Sequence, residues 1–302
     1  TASCGSDLHL YKVLSPLMRA GDIIGHEPMG VVEEVGRDVE HIKPGDRVVV
    51  PFNISCGHCY FCDQDLYYQC ETTRDTGKLA EASSLLGRGK GASLFGYTHV
   101  YGAVPGGQAE YLRVPHGDYG AMKVPDGPGD DRFLFLSDVL PTAWQGIEYA
   151  AVPDGGSIAI LGQGPIGNMA GRIAKLRGAG KIIAIDMVPE GLARAQDNDF
   201  DVINLNDIDT DDLADIVKDM TDGRGVDSVL EAVGMEAHGS PGTKMIHDLT
   251  ALMPDVIGGK MLDKAGVDRM AALYHAIDIV RRGGTISISG VYAGKADPIP
   301  LD

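Results

Sequence analysis

A chain of 302 residues is long enough for two domains, and its 44% hydrophobic content is that of an ordinary globular protein. Its 26 Lys and Arg stand against 43 Asp and Glu, a net charge of -17 that repels phosphate backbones and anionic membranes and so argues against nucleic acid or a membrane as partner. No run of eighteen apolar residues is present, and residues 1–7 have neither the basic nor the apolar region of a signal peptide, so the cytoplasm is the expected location.

The first chemically informative residues are Cys4 and the stretch Gly25-His26-Glu27-Pro28-Met29-Gly30. A soft thiolate and an imidazole supply two of the three protein ligands of a catalytic zinc, with the fourth position left for substrate. The flanking glycines let backbone crowd a small site. The same His26-Glu27 pair also reads as the end of a buried strand. Residues 31–36 and 48–50 have strand composition, with Lys43-Pro44-Gly45-Asp46-Arg47 as the turn between them. Short strands and turns of this kind make a small β-barrel the expected architecture of the first third.

Cys56, Cys59, Cys62 and Cys70 follow at spacings of three, three and eight. Four thiolates on one loop close a tetrahedral sulfur site, the geometry of structural zinc. An odd total of five cysteines in a reducing compartment speaks against a disulfide framework. Residues 72–104 are aperiodic and are expected to form a long surface loop, 107–115 return to strand character, and 133–151 carry helical spacing through Leu136, Val139, Leu140, Trp144 and Ile147.

The texture changes at Pro153-Asp154-Gly155-Gly156. Residues 157–161 form a continuous apolar strand, Gly162-Gln163-Gly164-Pro165-Ile166-Gly167 a glycine turn, and 168–177 a helix. A second strand, 181–186, ends on Asp186, nineteen residues past Gly167. That context makes the turn a dinucleotide fingerprint: Gly162, Gly164, Pro165, Ile166 and Gly167 receive the pyrophosphate, and Asp186 accepts from the adenosine ribose hydroxyls. A carboxylate there repels a 2'-phosphate, which favours NAD over NADP. Three more strands, at 202–204, 226–230 and 285–289, complete a parallel βαβ series. Val267, Met270, Leu273, Tyr274, Ile277 and Val280 outline an amphipathic helix. Residues 238–264 are an insertion, either a cofactor-covering loop or a solvated decoration.

In this order Cys4-Gly5-Ser6-Asp7-Leu8-His9, Gly25-His26-Glu27, the four-cysteine loop and the glycine turn resemble the zinc-dependent medium-chain alcohol dehydrogenases. Leu136-Ser137-Asp138-Val139-Leu140-Pro141-Thr142 and the insertion after Gly234 are most similar to the glutathione-independent formaldehyde dehydrogenases among them. The resemblance implies an α/β chain with a GroES-like catalytic domain at residues 1–139 and a Rossmann domain, a doubly wound parallel sheet, at 140–302. It implies two zinc ions, the catalytic one held by Cys4, His26 and Asp138. Asp138 alternatively reads as a helix N-cap. Glu27 matches a carboxylate that orients the site, and Ser6 and His9 a proton relay toward solvent.

The implied reaction is hydride transfer between an alcohol or aldehyde hydrate and NAD. Rival readings are an aldehyde dismutase with trapped NAD, a polyol or amino-alcohol dehydrogenase, and a non-catalytic dinucleotide-binding scaffold. Family members extend further at both ends, so the chain is expected to be part of a longer protein that assembles as a homo-oligomer.

Overall fold

A computed structural model describes residues 1–11, 14–74, 91–234 and 270–292. The chain divides into two compact units, Thr1–Pro141 and Thr142–Asp302. Among the described residues no helix is long and apolar enough to cross a membrane.

The first unit begins with helix α1 (Gly5–Tyr11) and contains an antiparallel sheet of β1 (Met29–Val31), β2 (Arg47–Val49) and β3 (Met122–Lys123), in the order β1-β2-β3. A short α2 (Gly117–Gly120) precedes β3. Val48, Val50, Ile54 and Phe95 form the core, with Leu112 and Val114 packed against it. Helix α3 (Val139–Ala150) starts within this unit and runs into the second.

Several expectations for this unit are corrected. Among the described residues the ladder of this unit has three short strands. Strand β1 ends at Val31, because Glu33, Glu34 and Val35 are exposed and offer no apolar face to bury. Residues 107–115 form no ladder: Gly106, Gly107 and Gln108 give their N–H groups to Ile23, Gly25 and Ile24 around a glycine kink. Residues 91–104 are not a surface loop, since Ala92, Phe95 and Thr98 are buried there; residues 75–90 lie outside the described residues. The helical spacing over 133–151 resolves into a 3-10 turn, Leu134–Ser137, and then α3, with the break at Asp138 (φ -151°, ψ -71°).

The second unit contains a five-stranded parallel sheet of β4 (Ser157–Leu161), β5 (Lys181–Asp186), β6 (Asp201–Asn204), β7 (Val226–Glu231) and β8 (Val280–Ile288). Its order is β6-β5-β4-β7-β8, so the direction of winding reverses between β4 and β7. That reversal creates the crevice where doubly wound folds bind ligands.

Helices α4 (Pro165–Leu176) and α5 (Pro189–Gln196) pack with β4, β5 and β6. Helices α6 (Leu213–Asp219) and α7 (Ala271–Ile279) pack with each other, and α7 with β7 and β8. Ala159, Leu161, Ile183, Ile185 and Ile203 share a core with Leu213, Val217, Ala276 and Ile279. Ile158, Ile160, Ile182 and Ala184 are buried as well, so the strands are apolar on both faces.

The glycine-turn helix begins at Pro165, not at residue 168, because Pro suits the first helical position. Strand β8 begins at Val280, five residues early, since a register irregularity opposite Val226–Ser228 takes up extra residues at Gly283 (φ 69°). On α7 the most buried stripe is Ala272, Ala276 and Ile279, not the Met270, Leu273, Tyr274 and Ile277 stripe. Val267 and the insertion at 238–264 lie outside the described residues.

Candidate active site and metal centres

Helix α1 begins immediately after Cys4, and Ser6 and His9, three positions apart, fall on one face of it. The Ser6 hydroxyl lies 3.3 Å from Cys4 Sγ and 3.2 Å from His26 Nε2. His26 Nε2 lies 3.2 Å from Asp138 Oδ2. One donor atom each from Cys4, His26 and Asp138 fall within 4.8 Å of one another. His9 is half-buried on the same helix.

His26 reaches this place through glycine packing. Gly25 sits at φ +98°, and an added Cβ would be 2.6 Å from Gln108 Cγ. A Cβ on Gly96 would be 2.5 Å from the Gly25 nitrogen, and one on Gly106 would be 2.4 Å from the Gly25 oxygen. Three backbones therefore meet where any side chain would force them apart. Phe52 and Tyr97 wall the His26 ring edge-on, each with centroids 6.4 Å away.

Asp7, which the reading of the sequence did not assign a role, is 5% exposed and reaches two of the three candidate ligands. Its Oδ1 lies 3.1 Å from His26 Nδ1, and its Oδ2 accepts from the Cys4 N–H at 3.0 Å. A carboxylate behind a ligating imidazole sets its tautomer and raises its basicity. The signal available in the sequence was an acid in the first turn of a helix that opens one residue past a candidate ligand.

Burial disfavours the His26 charge, but Asp138, Asp7 and Cys4 outweigh it and push the imidazole up to about 12. Glu27, 2% exposed, is raised above the ordinary carboxylate range by burial and by the Asp138 charge. Its carboxylate also receives the Val139 N–H at the start of α3. Two anions and a thiol around one imidazole are a donor set suited to a divalent cation.

The four-cysteine loop is a separate small core. Cys59 Sγ lies 3.6 Å from Cys62 Sγ and 3.8 Å from Cys70 Sγ, and Cys56 Sγ lies 4.0 Å from Cys62 Sγ. Zinc–sulfur bonds of about 2.3 Å in a tetrahedron set sulfurs about 3.8 Å apart, so the spacing fits the ion. All four are free thiols. The Cys62 N–H draws the Cys59 thiol down to about 6, while burial pushes Cys62 up to about 12. Thiols this close do not all ionise without a cation among them.

In the second unit the glycine turn follows β4, with Gly162 at φ +90°. A Cβ at Gly167 would lie 1.8 Å from the Gly162 oxygen, so the start of α4 closes on the turn only with glycine there. Gly164 is the α4 N-cap, Pro165 opens the helix, and Ile166 follows in its first turn. Asp186, at the end of β5, accepts N–H groups from Met187 and Val188 at 2.6 and 3.0 Å, and a third from Gln163 within the turn. Turn and acid are thereby brought together, with about one carboxylate lone-pair site left for a ligand.

The family model described as alcohol dehydrogenase GroES-like domain matches residues 1–126, and the one described as zinc-binding dehydrogenase matches residues 165–248. The uncharacterized zinc-type alcohol dehydrogenase-like protein AdhB of Bacillus subtilis is 38% identical over all of this chain and 73% of its own length. Formaldehyde dismutase of Pseudomonas putida is 34% identical, over 100% of this chain and 67% of that protein. Glutathione-independent formaldehyde dehydrogenase of Pseudomonas aeruginosa is also 34% identical, over 95% and 70% respectively. With a GroES-like first unit, a Rossmann sheet in the second and relatives of this similarity, the chain belongs to the zinc-dependent medium-chain alcohol dehydrogenase family of oxidoreductases.

Proposed function

We propose that the chain oxidises a small aldehyde hydrate or alcohol with NAD, at a zinc held by Cys4, His26 and Asp138. The observation that carries this reading is the Ser6 hydroxyl, 3.3 Å from Cys4 Sγ and 3.2 Å from His26 Nε2. When bound, zinc supplies Lewis-acid stabilisation at a substrate oxygen, and NAD accepts the hydride. Ser6 accepts the substrate hydroxyl proton and passes it along α1 toward His9. Asp7 keeps the His26 ring in one tautomer, and the glycines around residue 25 keep that ring from moving. Glu27, buried beside Asp138, orients the site from behind. A second zinc in the Cys56, Cys59, Cys62 and Cys70 loop has a structural role, since four sulfurs leave no open position.

The Asp186 carboxylate supports NAD over NADP. The formaldehyde-acting relatives support a small aldehyde as substrate. Zinc and nucleotide are measured together on protein purified without cofactor, followed by NAD and NADP reduction with formaldehyde and with ethanol. Two zincs, little nucleotide and NAD-specific turnover are expected. Stoichiometric retained NAD with turnover that needs no added cofactor would replace this reading with a dismutase, the activity named for the Pseudomonas putida relative. Two zincs without turnover of either compound would remove the substrate assignment.

A further inference from the structure

Glu231, the last residue of β7, has no part in the chemistry above, yet it is a 0% exposed acid at the C-terminal end of the sheet. Its Oε1 accepts the N–H groups of Val233 and Gly234, each at 2.7 Å. Its main-chain oxygen accepts those of Ser289 and Gly290, at 2.8 and 3.1 Å. One residue thus gathers four N–H groups from the two turns that follow β7 and β8. Its Oε2 is buried, and the Tyr292 phenol, raised by burial, interacts with the Glu231 carboxylate.

These turns bear directly on the glycine fingerprint. Ala232 donates to the Leu161 oxygen, at the end of β4. A Cβ on Gly162 would lie 3.0 Å from both the Ala232 oxygen and Val233 Cγ2. Gly290 presses on the carboxylate from the other side, where an added Cβ would be 2.3 Å from Glu231 Oε2. A buried acid is costly unless its bonds are needed. These bonds shape the β4/β7 reversal, where a doubly wound sheet binds its ligand.

We propose that Glu231 is a positioning residue for the dinucleotide, holding the turns after β7 and β8 in the shape against which the glycine turn at Gly162 is seated. The inference rests on the dinucleotide reading of that turn. Its effect belongs to the phosphate-bearing part of the ligand, because the adenosine end meets Asp186, two strands away from β7.

The test is calorimetric titration of the zinc-loaded wild type, Glu231→Gln and Gly290→Ala with NAD and with adenosine, alongside thermal melting. Glu231→Gln replaces the carboxylate that accepts from Val233 and Gly234 with a weaker amide acceptor, and Gly290→Ala sets a Cβ 2.3 Å from Glu231 Oε2 and 2.4 Å from the Gly234 nitrogen, displacing the carboxylate together with the turn it holds. Both variants are expected to weaken NAD about tenfold or more while adenosine affinity stays within about twofold. Unchanged NAD affinity in both variants, with a wild type that binds NAD, would overturn the inference alone. Equal loss of NAD and adenosine in Gly290→Ala with a collapsed melting transition would reduce Glu231 to a structural part. A wild type that binds neither ligand would remove the dinucleotide reading and this inference with it. If Glu231→Gln does not fold, Gly290→Ala decides.

Discussion

The two clusters in the first unit that could hold a metal ion are built in opposite ways. The cysteine loop draws four identical donors from fifteen consecutive residues, all buried. The other cluster takes a thiolate, an imidazole and a carboxylate from Cys4, His26 and Asp138, the last two 112 positions apart. The first set is closed by its own count of ligands and its fold needs only a local loop. The second offers three donors, one fewer than a tetrahedral ion takes, and depends on the whole unit to bring its parts together. What the contrast teaches is that a cluster of like donors can be assembled from one short loop, while a cluster of unlike donors draws on elements far apart in the chain.

The largest effect should separate the two by function. His26→Ala is expected to lower kcat/KM at least about 10³-fold by removing several kcal/mol of electrostatic stabilisation. It should cost one zinc per chain and leave circular dichroism nearly unchanged. Cys59→Ser is expected to cost the other zinc and about 3 kcal/mol or more of stability in urea unfolding. Comparable stability losses in both variants would erase the distinction.

Asp7→Asn tests whether the open cluster depends on residues behind its ligands. Loss of the carboxylate at His26 Nδ1 should weaken zinc at this cluster about 10–100-fold in a chelator competition. The cysteine-loop zinc should be retained. Equal loss of both ions would show that the clusters are coupled.

A smaller effect concerns pH. In metal-free protein the His26 imidazole is held up to about 12, above its ordinary 6.5. The folded chain then binds a proton that the unfolded chain gives up, so this contribution is complete below pH 6.5 and fades as pH rises through about 12. Melting temperatures of metal-free wild type should fall from pH 6.5 to 9 relative to His26→Gln. A parallel pair of curves would contradict the charge arrangement around His26.

The second unit was largely legible in the sequence. Residues 157–161 and 181–186 read as strands and are strands, because buried parallel strands are continuous apolar runs bounded by turns. The first unit was less so. Phe95 and Ala92 lie in an aperiodic stretch, yet they are core, since their segment is tied by isolated bridges and single bonds that leave no periodic trace. Asp138 carried no local signal distinguishing a ligand from a helix cap, and only the resemblance pointed to it. Asp7 and Glu231 accept backbone N–H groups that folding assembles, so their partners could not be read along the chain.

The glycine junction around Gly25 has an evolutionary consequence. His26 is seated by backbone pressed on backbone, whereas the space beside it is bounded by the rings of Phe52 and Tyr97. Inheritance can therefore rewrite the boundary one side chain at a time without unseating His26. Change at the rings is open to inheritance, while the glycines tolerate almost no change.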